Sequence, residues 1–312
     1  MPHVRGEYAE LLAPVLNLRT FEAYRRKPEI YRNINNVLNS SSAYEDDYAI
    51  SGFGPLSEKG ELQPTQLDEI MKLGGVRFFH KKYALGFVIS EEMREDGQID
   101  LFSTMAGALG VSSRHTVELF GHDVYNHAFD DERYIGRDGE PLISANHPIA
   151  GTGGVASNRP AVDTDLSLSA IETAWADFYM QVDDRGIPID LTPATLLVHP
   201  RQYQFARQIL ESPGVLNNVQ GDAVGHAGIV NPMEGWVRVI TSPYLADEDA
   251  WFLLAPPSDI DVRFYWRKAM DTKTWDDNDA DGTIHKVQQR HSNGFGDWRG
   301  VYGSPGAAGG EE

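Results

Sequence analysis

Residues 99–129, "IDLFSTMAGALGVSSRHTVELFGHDVYNHAF", decide how the chain is organised. Phe102, Met105, Leu109, Thr116, Phe120, Val124 and His127 share a face at helical spacing, while Val111, His115, Glu118, His122 and Asn126 lie on the opposite side. The spacing predicts one helix spanning ~40 Å, long enough to be the spine of a domain. Gly107, Gly110 and Gly121 oppose it, each costing about 1 kcal/mol relative to Ala. His115, Glu118 and His122 sit at i, i+3 and i+7, a spacing able to offer three metal ligands. The preferred reading is a polar stripe that meets solvent or another subunit.

Upstream, residues 46–54 and 76–90 are two β-prone arms joined by about twenty polar residues rich in Gly, Pro, Glu and Lys, including Lys59 and Lys72. A two-stranded hairpin this long cannot bury its own apolar side chains, so it is expected to lie on a neighbouring subunit. Before it come a short candidate helix around "GEYAELLAPVLN", the stretch "YRRKPEIYRNINN" and an "NSSS" loop at 39–42. Residues 1–36 hold Arg5, Arg19, Arg25, Arg26, Lys27 and Arg32 against Glu7, Glu10, Glu22 and Glu29, whereas the whole chain carries −19 from 46 acidic and 27 basic side chains. A basic arm on an acidic body suggests docking onto a copy of itself, with Arg25, Arg26, Lys27 and Arg32 as candidate contacts; a solvated charge run is the alternative.

Downstream, residues 130–163 are rich in turns. Leu168, Ile171, Trp175, Phe178 and Val182 form a helical stripe with Ser169 and Glu172 as a capping box. "GIPIDLTPATLLVHP" reads as a turn and a buried strand, "RQYQFARQILE" as a helix, and "WVRVITSPY" and "AWFLLAPP" as strands. Helices and strands mixed without regular alternation predict an α+β fold. The ending "GSPGAAGGEE" is low in complexity and expected to be disordered.

Residues 277–288, "DNDADGTIHKVQ", place Asp277, Asp279, Asp281 and Gly282 as an EF-hand loop would. The last ligand position is Gln288, which supplies no bidentate carboxylate, and both flanks alternate with strand period. The preferred reading is the acidic turn of a β-hairpin, with Asp277, Asp279 and Asp281 only a weak candidate for a cation site.

Zero cysteines exclude disulfides, thiolate zinc sites and cysteine nucleophiles. No apolar run reaches membrane-spanning length, and the N-terminus lacks signal-peptide regions, so a cytosolic chain without a membrane partner is expected. The acidic balance disfavours broad binding to nucleic-acid backbones. "GTGGVA" at 151–156 lacks the strand and helix of a dinucleotide site, and no Walker lysine, zinc-protease helix or nucleophile elbow is present. No catalytic site or cofactor is expected.

Four segments carry a resemblance: "YALGFVISEEMREDG" (83–97), "GIPIDLTPATLLVHPRQYQFARQIL" (186–210), "VITSPYLADEDAWFLLAPP" (239–257) and "QQRHSNGFGDWRGVYGSPGA" (288–307). In this order the chain resembles the major capsid proteins of tailed bacteriophages and prophages, with the Hong Kong 97 capsid fold. The resemblance implies an N-terminal arm (1–43) reaching onto a neighbour and an extended loop (44–92). It implies a peripheral domain (93–159 and 258–291, with the spine helix and the 260–291 hairpin), an axial domain (160–257 and 292–304) and a tail (305–312). It implies a homo-oligomer of hexamers and pentamers that builds an icosahedral shell around double-stranded DNA without sequence-specific binding. Assembly in the bacterial host cytoplasm would involve separate scaffold, portal and decoration proteins. The acidic turn would meet its equivalents at three-fold junctions, where a bound cation or basic side chains would offset repulsion. Some relatives crosslink a loop lysine to a peripheral asparagine; Lys59, Lys72, Asn278 and Asn293 are nearby here, with no motif to fix a pairing. The alternatives are an encapsulin-like compartment and, less favoured, a metal-dependent enzyme using His115, Glu118 and His122 or the aspartate loop.

Overall fold

The chain, seen as a computed structural model, is described over residues 7–97, 99–130, 132–212, 231–277 and 281–307. It opens with helix α1 (Glu7–Arg26), a turn of helix α2 (Tyr31–Ile34) and strand β1 (Asn36–Asn39). Strands β2 (Tyr44–Ile50), β3 (Lys72–Phe79) and β4 (Lys81–Ser90) follow, then a short α3 (Glu91–Glu95) and the spine helix α4 (Ile99–Asn126). The second half contains β5 (His147–Pro148), β6 (Val155–Ala156), α5 (Leu168–Tyr179), β7 (Thr195–Val198), α6 (Tyr203–Glu211), β8 (Arg238–Thr241) and β9 (Trp251–Leu254). A long hairpin, β10 (Val262–Asp277) with β11 (Gly282–Phe295), and β12 (Val301–Ser304) close it.

Two four-stranded sheets organise these elements. The first runs β1-β10-β11-β4, with β1 parallel to β10 and the other pairs antiparallel. Residues of β11 alternate: Val287 packs with Leu109 of α4 and Met270 of β10, and Gln289 bonds Ser113, so α4 covers this face. Helix α1 lies on the same face, because His285 of β11 bonds Thr20 of α1 and Thr274 of β10 through its two ring nitrogens. The second sheet runs β12-β9-β7-β8. Every residue of β7, β9 and β12 is buried, the signature of strands covered on both faces, and Phe178 of α5 and Leu210 of α6 join that core.

Three expectations are corrected. The N-terminal helix is longer than "GEYAELLAPVLN" and runs through the basic stretch to Arg26, because Leu16 and Thr20 gain a buried face against Ala106 and Phe102. The arm of residues 76–90 is split: β3 pairs with β2, then the chain turns at His80 and β4 joins β11. The His80 ring, held between Ser292 and Ser40, fixes that corner. The cap of α5 is Ser167, whose hydroxyl accepts from the Ala170 N–H at 3.1 Å; Ser169 lies inside the first turn. The tail beyond residue 307 lies outside the described residues.

Candidate subunit interface

The extended loop leaves the body between β2 and β3. Its neck is closed by Ser51, whose N–H donates to the Met71 carbonyl at 2.9 Å and whose hydroxyl accepts from the Met71 N–H at 3.0 Å. Arg185, from the second half of the chain, pins the neck by donating to the carbonyls of Gly52 and Glu69 and pairing with Asp68 at 3.4 Å. Beyond the neck no described residue covers the apolar side chains: Leu56 and Leu62 are fully exposed, and Leu67 is 90% exposed. Exposed leucines concentrated on one projecting loop mark an interaction surface.

Below the neck lies a cluster of charges drawn from segments far apart in sequence. Asp47 of β2 pairs with Arg137 at 3.0 Å and with Arg263 of β10 at 3.1 Å. Arg137 also reaches Asp297 at 3.0 Å and Asp261 at 3.5 Å. Arg299 pairs with Asp297 at 3.1 Å and Asp184 at 3.3 Å, and donates to the Val182 carbonyl at 2.7 Å. Burial raises the Asp261 carboxyl against the pull of Arg263 and Arg137. Two glycines permit the approach: a Cβ on Gly74 would stand 2.1 Å from the Arg137 carbonyl oxygen, and one on Gly296 would stand 2.4 Å from the Asp47 carboxylate. The ionic cluster therefore ties the root of the loop to β10 of the first sheet and to the segments around Asp184 and Asp297.

The arm is tied down at a second place. Glu118 of α4 accepts from the N–H groups of Ile30 and Tyr31 at 3.1 and 3.0 Å, capping α2 from outside. Arg114, also buried, donates to Glu29 at 2.7 Å and stacks over Tyr24 at 3.8 Å. The expected polar stripe is thereby corrected: His115 is exposed, but Glu118 and His122 are buried against this chain's own arm root and second half, with Tyr244 packed on the His122 ring. The three side chains do not converge on a metal, since both Glu118 oxygens are taken and His122 Nδ1 lies 2.7 Å from the Glu118 carbonyl. Among the described residues no group of His, Asp and Glu has the arrangement of a metal site.

These burials set a pH dependence. Burial holds the His122 and His291 imidazoles down at about 4, although donation from the His122 ring to the Glu118 carbonyl favours the His122 cation. A base with a depressed folded value stabilises the fold above the unfolded value near 6.5 and loses that contribution as pH falls towards 4, by about 3 kcal/mol per ring. Glu118 has the opposite sign. Burial pushes its carboxyl up from 4.5 to about 7, against the Tyr31 N–H, Arg114 and the Ile30 N–H, so its contribution is complete below pH 4.5 and is lost as pH rises through 7. E118Q is therefore expected to lose stability more steeply than the wild type between pH 6.5 and 5, by up to about 1.4 kcal/mol per pH unit. Urea denaturation at fixed pH values checks the slopes; equal slopes would show that Glu118 is ionised throughout.

The other expected contact residues fall as follows. Arg25, Arg26 and Lys27 are exposed at the end of α1 and form no ion pair among the described residues, whereas Arg32 pairs with Glu29. Lys59 is exposed and donates to Thr65, and Lys72 is exposed at the start of β3. Asn293 is occupied internally, bonding the Phe120 carbonyl and the Tyr134 hydroxyl, and Asn278 and Asp279 lie outside the described residues. Asp277 ends β10, Asp281 precedes β11 and Asp277 pairs in register with Gly282, so the flanks of the acidic stretch are paired strands, as their alternation predicts, and not the helices of an EF-hand.

The sequence profile of the family described as phage capsid protein matches residues 76–304 of the 312 in this chain. The chain belongs to the phage capsid protein family. The match begins within β3 and spans β4, the spine helix, the second sheet and the hairpin of this capsid protein, leaving α1, α2, β1 and β2 outside it. Solved structures share the fold. The procapsid of bacteriophage JBD30 aligns over 95% of this chain and 74% of its own at 14% identity, with a TM-score of 0.53. Mycobacterium phage Patience aligns over 95% and 86% at 12% identity, with a TM-score of 0.55. A virus-like particle from Pyrococcus furiosus aligns over 93% and 98% at 9% identity, with a TM-score of 0.54. No curated protein matches the sequence. The expected fold class is thus the observed one, an α+β capsid fold of the Hong Kong 97 type. This capsid protein is a structural major capsid subunit of a phage shell and not an enzyme.

Proposed function

We propose that the subunit assembles through hexamers and pentamers into an icosahedral shell enclosing double-stranded phage DNA, formed in the host cytoplasm with separate scaffold, portal and decoration proteins. The observation that carries this is the projecting loop: the described residues leave Leu56, Leu62 and Leu67 bare on a pinned neck, a surface suited to contact with another molecule. In this reading residues 1–43 are the arm, 44–92 the extended loop, 93–159 and 258–291 the peripheral domain, and 160–257 with 292–304 the axial domain. Arg25, Arg26 and Lys27 would meet the acidic surface of a neighbour, and the hairpin turn at Asp277 and Asp281 would meet its equivalents at three-fold junctions. The net charge of −19 suits a wall to which packed DNA does not adhere.

The encapsulin-like alternative shares the fold but has no observation of its own in its favour, and the phage capsid profile weighs against it. Light scattering followed by electron microscopy tests the proposal. Wild-type protein should give hollow megadalton shells, and replacing residues 53–67 by a Gly-Ser linker should cut their yield at least tenfold without changing the thermal midpoint. Full assembly without the loop apolar residues would remove the observation on which the proposal stands. Native particles filled with protein cargo instead of DNA would favour the compartment.

A further inference from the structure

Where the chain turns at His80, β3 leaves to pair with β2 and β4 joins β11, and the parting strands open a cavity of about 300 Å³ against the end of α4 and residues 133–135. Tyr83, Phe120 and Phe295 give it aromatic walls, and the exposed side chains of Arg77, Lys81 and Arg133 surround it. No carboxylate among the described residues lines it, although the chain carries 46 acidic side chains. Arg77 is paired with Asp46 at 2.5 Å and Arg133 with Asp123 at 2.6 Å. Lys81 forms no ion pair among the described residues.

His291 belongs to the same wall and is only 1% exposed. Its ring stacks on Tyr83 at 4.6 Å and on Phe264 at 5.0 Å, and its Nε2 has no hydrogen-bond partner among the described residues. A phenylalanine would serve that stack without the cost of a buried polar nitrogen left unpaired, so packing does not account for the imidazole. Lys81 is the in-register partner of His291 across β4 and β11, and the two side chains therefore leave the sheet on one face. An ammonium and an unpartnered ring nitrogen thus meet at the edge of an aromatic cavity, the parts of a site for a flat ring that carries an anion. With Lys81 as the one unpaired cation in the lining, a monoanion suits it better than a phosphate. We propose that this cavity binds a small aromatic carboxylate, its ring against Tyr83, Phe120 and Phe295 and its carboxylate held by the Lys81 ammonium and the His291 Nε2–H. Burial holds the His291 imidazole down at about 4, so at pH 7 the ring is neutral and offers that one proton from the tautomer protonated on Nε2. A ligand seated there bridges β4, β11 and α4 beneath the corner from which the extended loop departs, and stabilises the subunit by mass action.

Calorimetric titration of the full-length protein with cinnamate, against its neutral amide, tests this. Cinnamate should saturate one site per subunit with a Kd below about 1 mM, and cinnamamide, which keeps the ring and loses the charge, should bind at least tenfold more weakly. K81M, at an exposed position, should cost cinnamate at least tenfold in affinity and leave that of the amide unchanged. An anion beside the imidazole favours its charged form, so bound cinnamate should shift the His291 ring resonances and move their titration upward from about 4. Absence of saturable binding, equal affinity for acid and amide, or a His291 titration that stays in place overturns the proposal. So does tighter binding of deoxyadenosine monophosphate than of cinnamate, which would make the cavity a nucleotide site. None of these readouts needs assembled particles, so the shell-forming reading stands or falls separately.

Discussion

Replacing Arg137 by methionine is expected to lower stability by about 3–5 kcal/mol, the cost of removing one partner from a largely buried set of ion pairs. The guanidinium contacts Asp47, Asp261 and Asp297, and its side chain is only 15% exposed. Without it, three carboxylates are left around Arg263, with Arg299 supporting only Asp297. Asp261, already raised by burial, would be driven further towards binding a proton, so part of the loss should be recovered as pH is lowered. R137K should behave like the methionine variant in kind, because one ammonium cannot span three carboxylates as a planar fork does. Asp47→Asn differs: it removes one of four aspartates and releases β2, so hydrogen exchange should quicken in residues 44–79 more than elsewhere. Urea denaturation and exchange mass spectrometry check both. An R137M protein within about 1 kcal/mol of the wild type would mean that the cluster is solvated and loosely held.

The contrast between this cluster and the spine helix shows what local patterns carry. The apolar period of residues 99–129 fixed the helix to within three residues of its observed end at Asn126, and the alternation around 277–288 identified the hairpin. Both signals lie within one element, where a period of 3.6 or 2 is imposed by backbone geometry. The ionic cluster has no such signal, since Asp47, Arg137, Asp184, Asp261 and Asp297 come from segments with no common repeat. "GFGDWRG" carries part of the family resemblance, but nothing in it announces that Asp297 and Arg299 meet Arg137 and Asp184. Glu118 was misplaced for a related reason. A helical wheel assigns a carboxylate to the wet side, and the partners that make its burial tolerable are backbone N–H groups of residues 30 and 31, which leave no mark in the sequence.

The three spine glycines allow the sharpest separation of propensity from packing. Each is unfavourable in a helix by the same amount, so propensity alone predicts that all three alanine variants gain about 1 kcal/mol. The structure separates them. A Cβ on Gly107 meets nothing within 4 Å, whereas on Gly110 it would stand 2.2 Å from the Thr20 carbonyl oxygen and on Gly121 2.4 Å from the Tyr31 Cβ. Neither obstacle is the far end of a flexible side chain, so α1 and α2 would have to move away from α4. G107A should therefore stabilise by about 1 kcal/mol, while G110A/G121A should lose about 2–4 kcal/mol after the propensity gain, as overpacking at two sites outweighs it. Pushing α1 away also stretches the Thr20–His285 bond, 3.2 Å long in the wild type, so a change in the His285 ring resonance should accompany the loss. The comparison bears on the arm's place in the shell. If G110A/G121A proves as stable as G107A in unassembled protein, the helix is not seated on its own spine there, and the glycine groove must receive the arm of a neighbour instead.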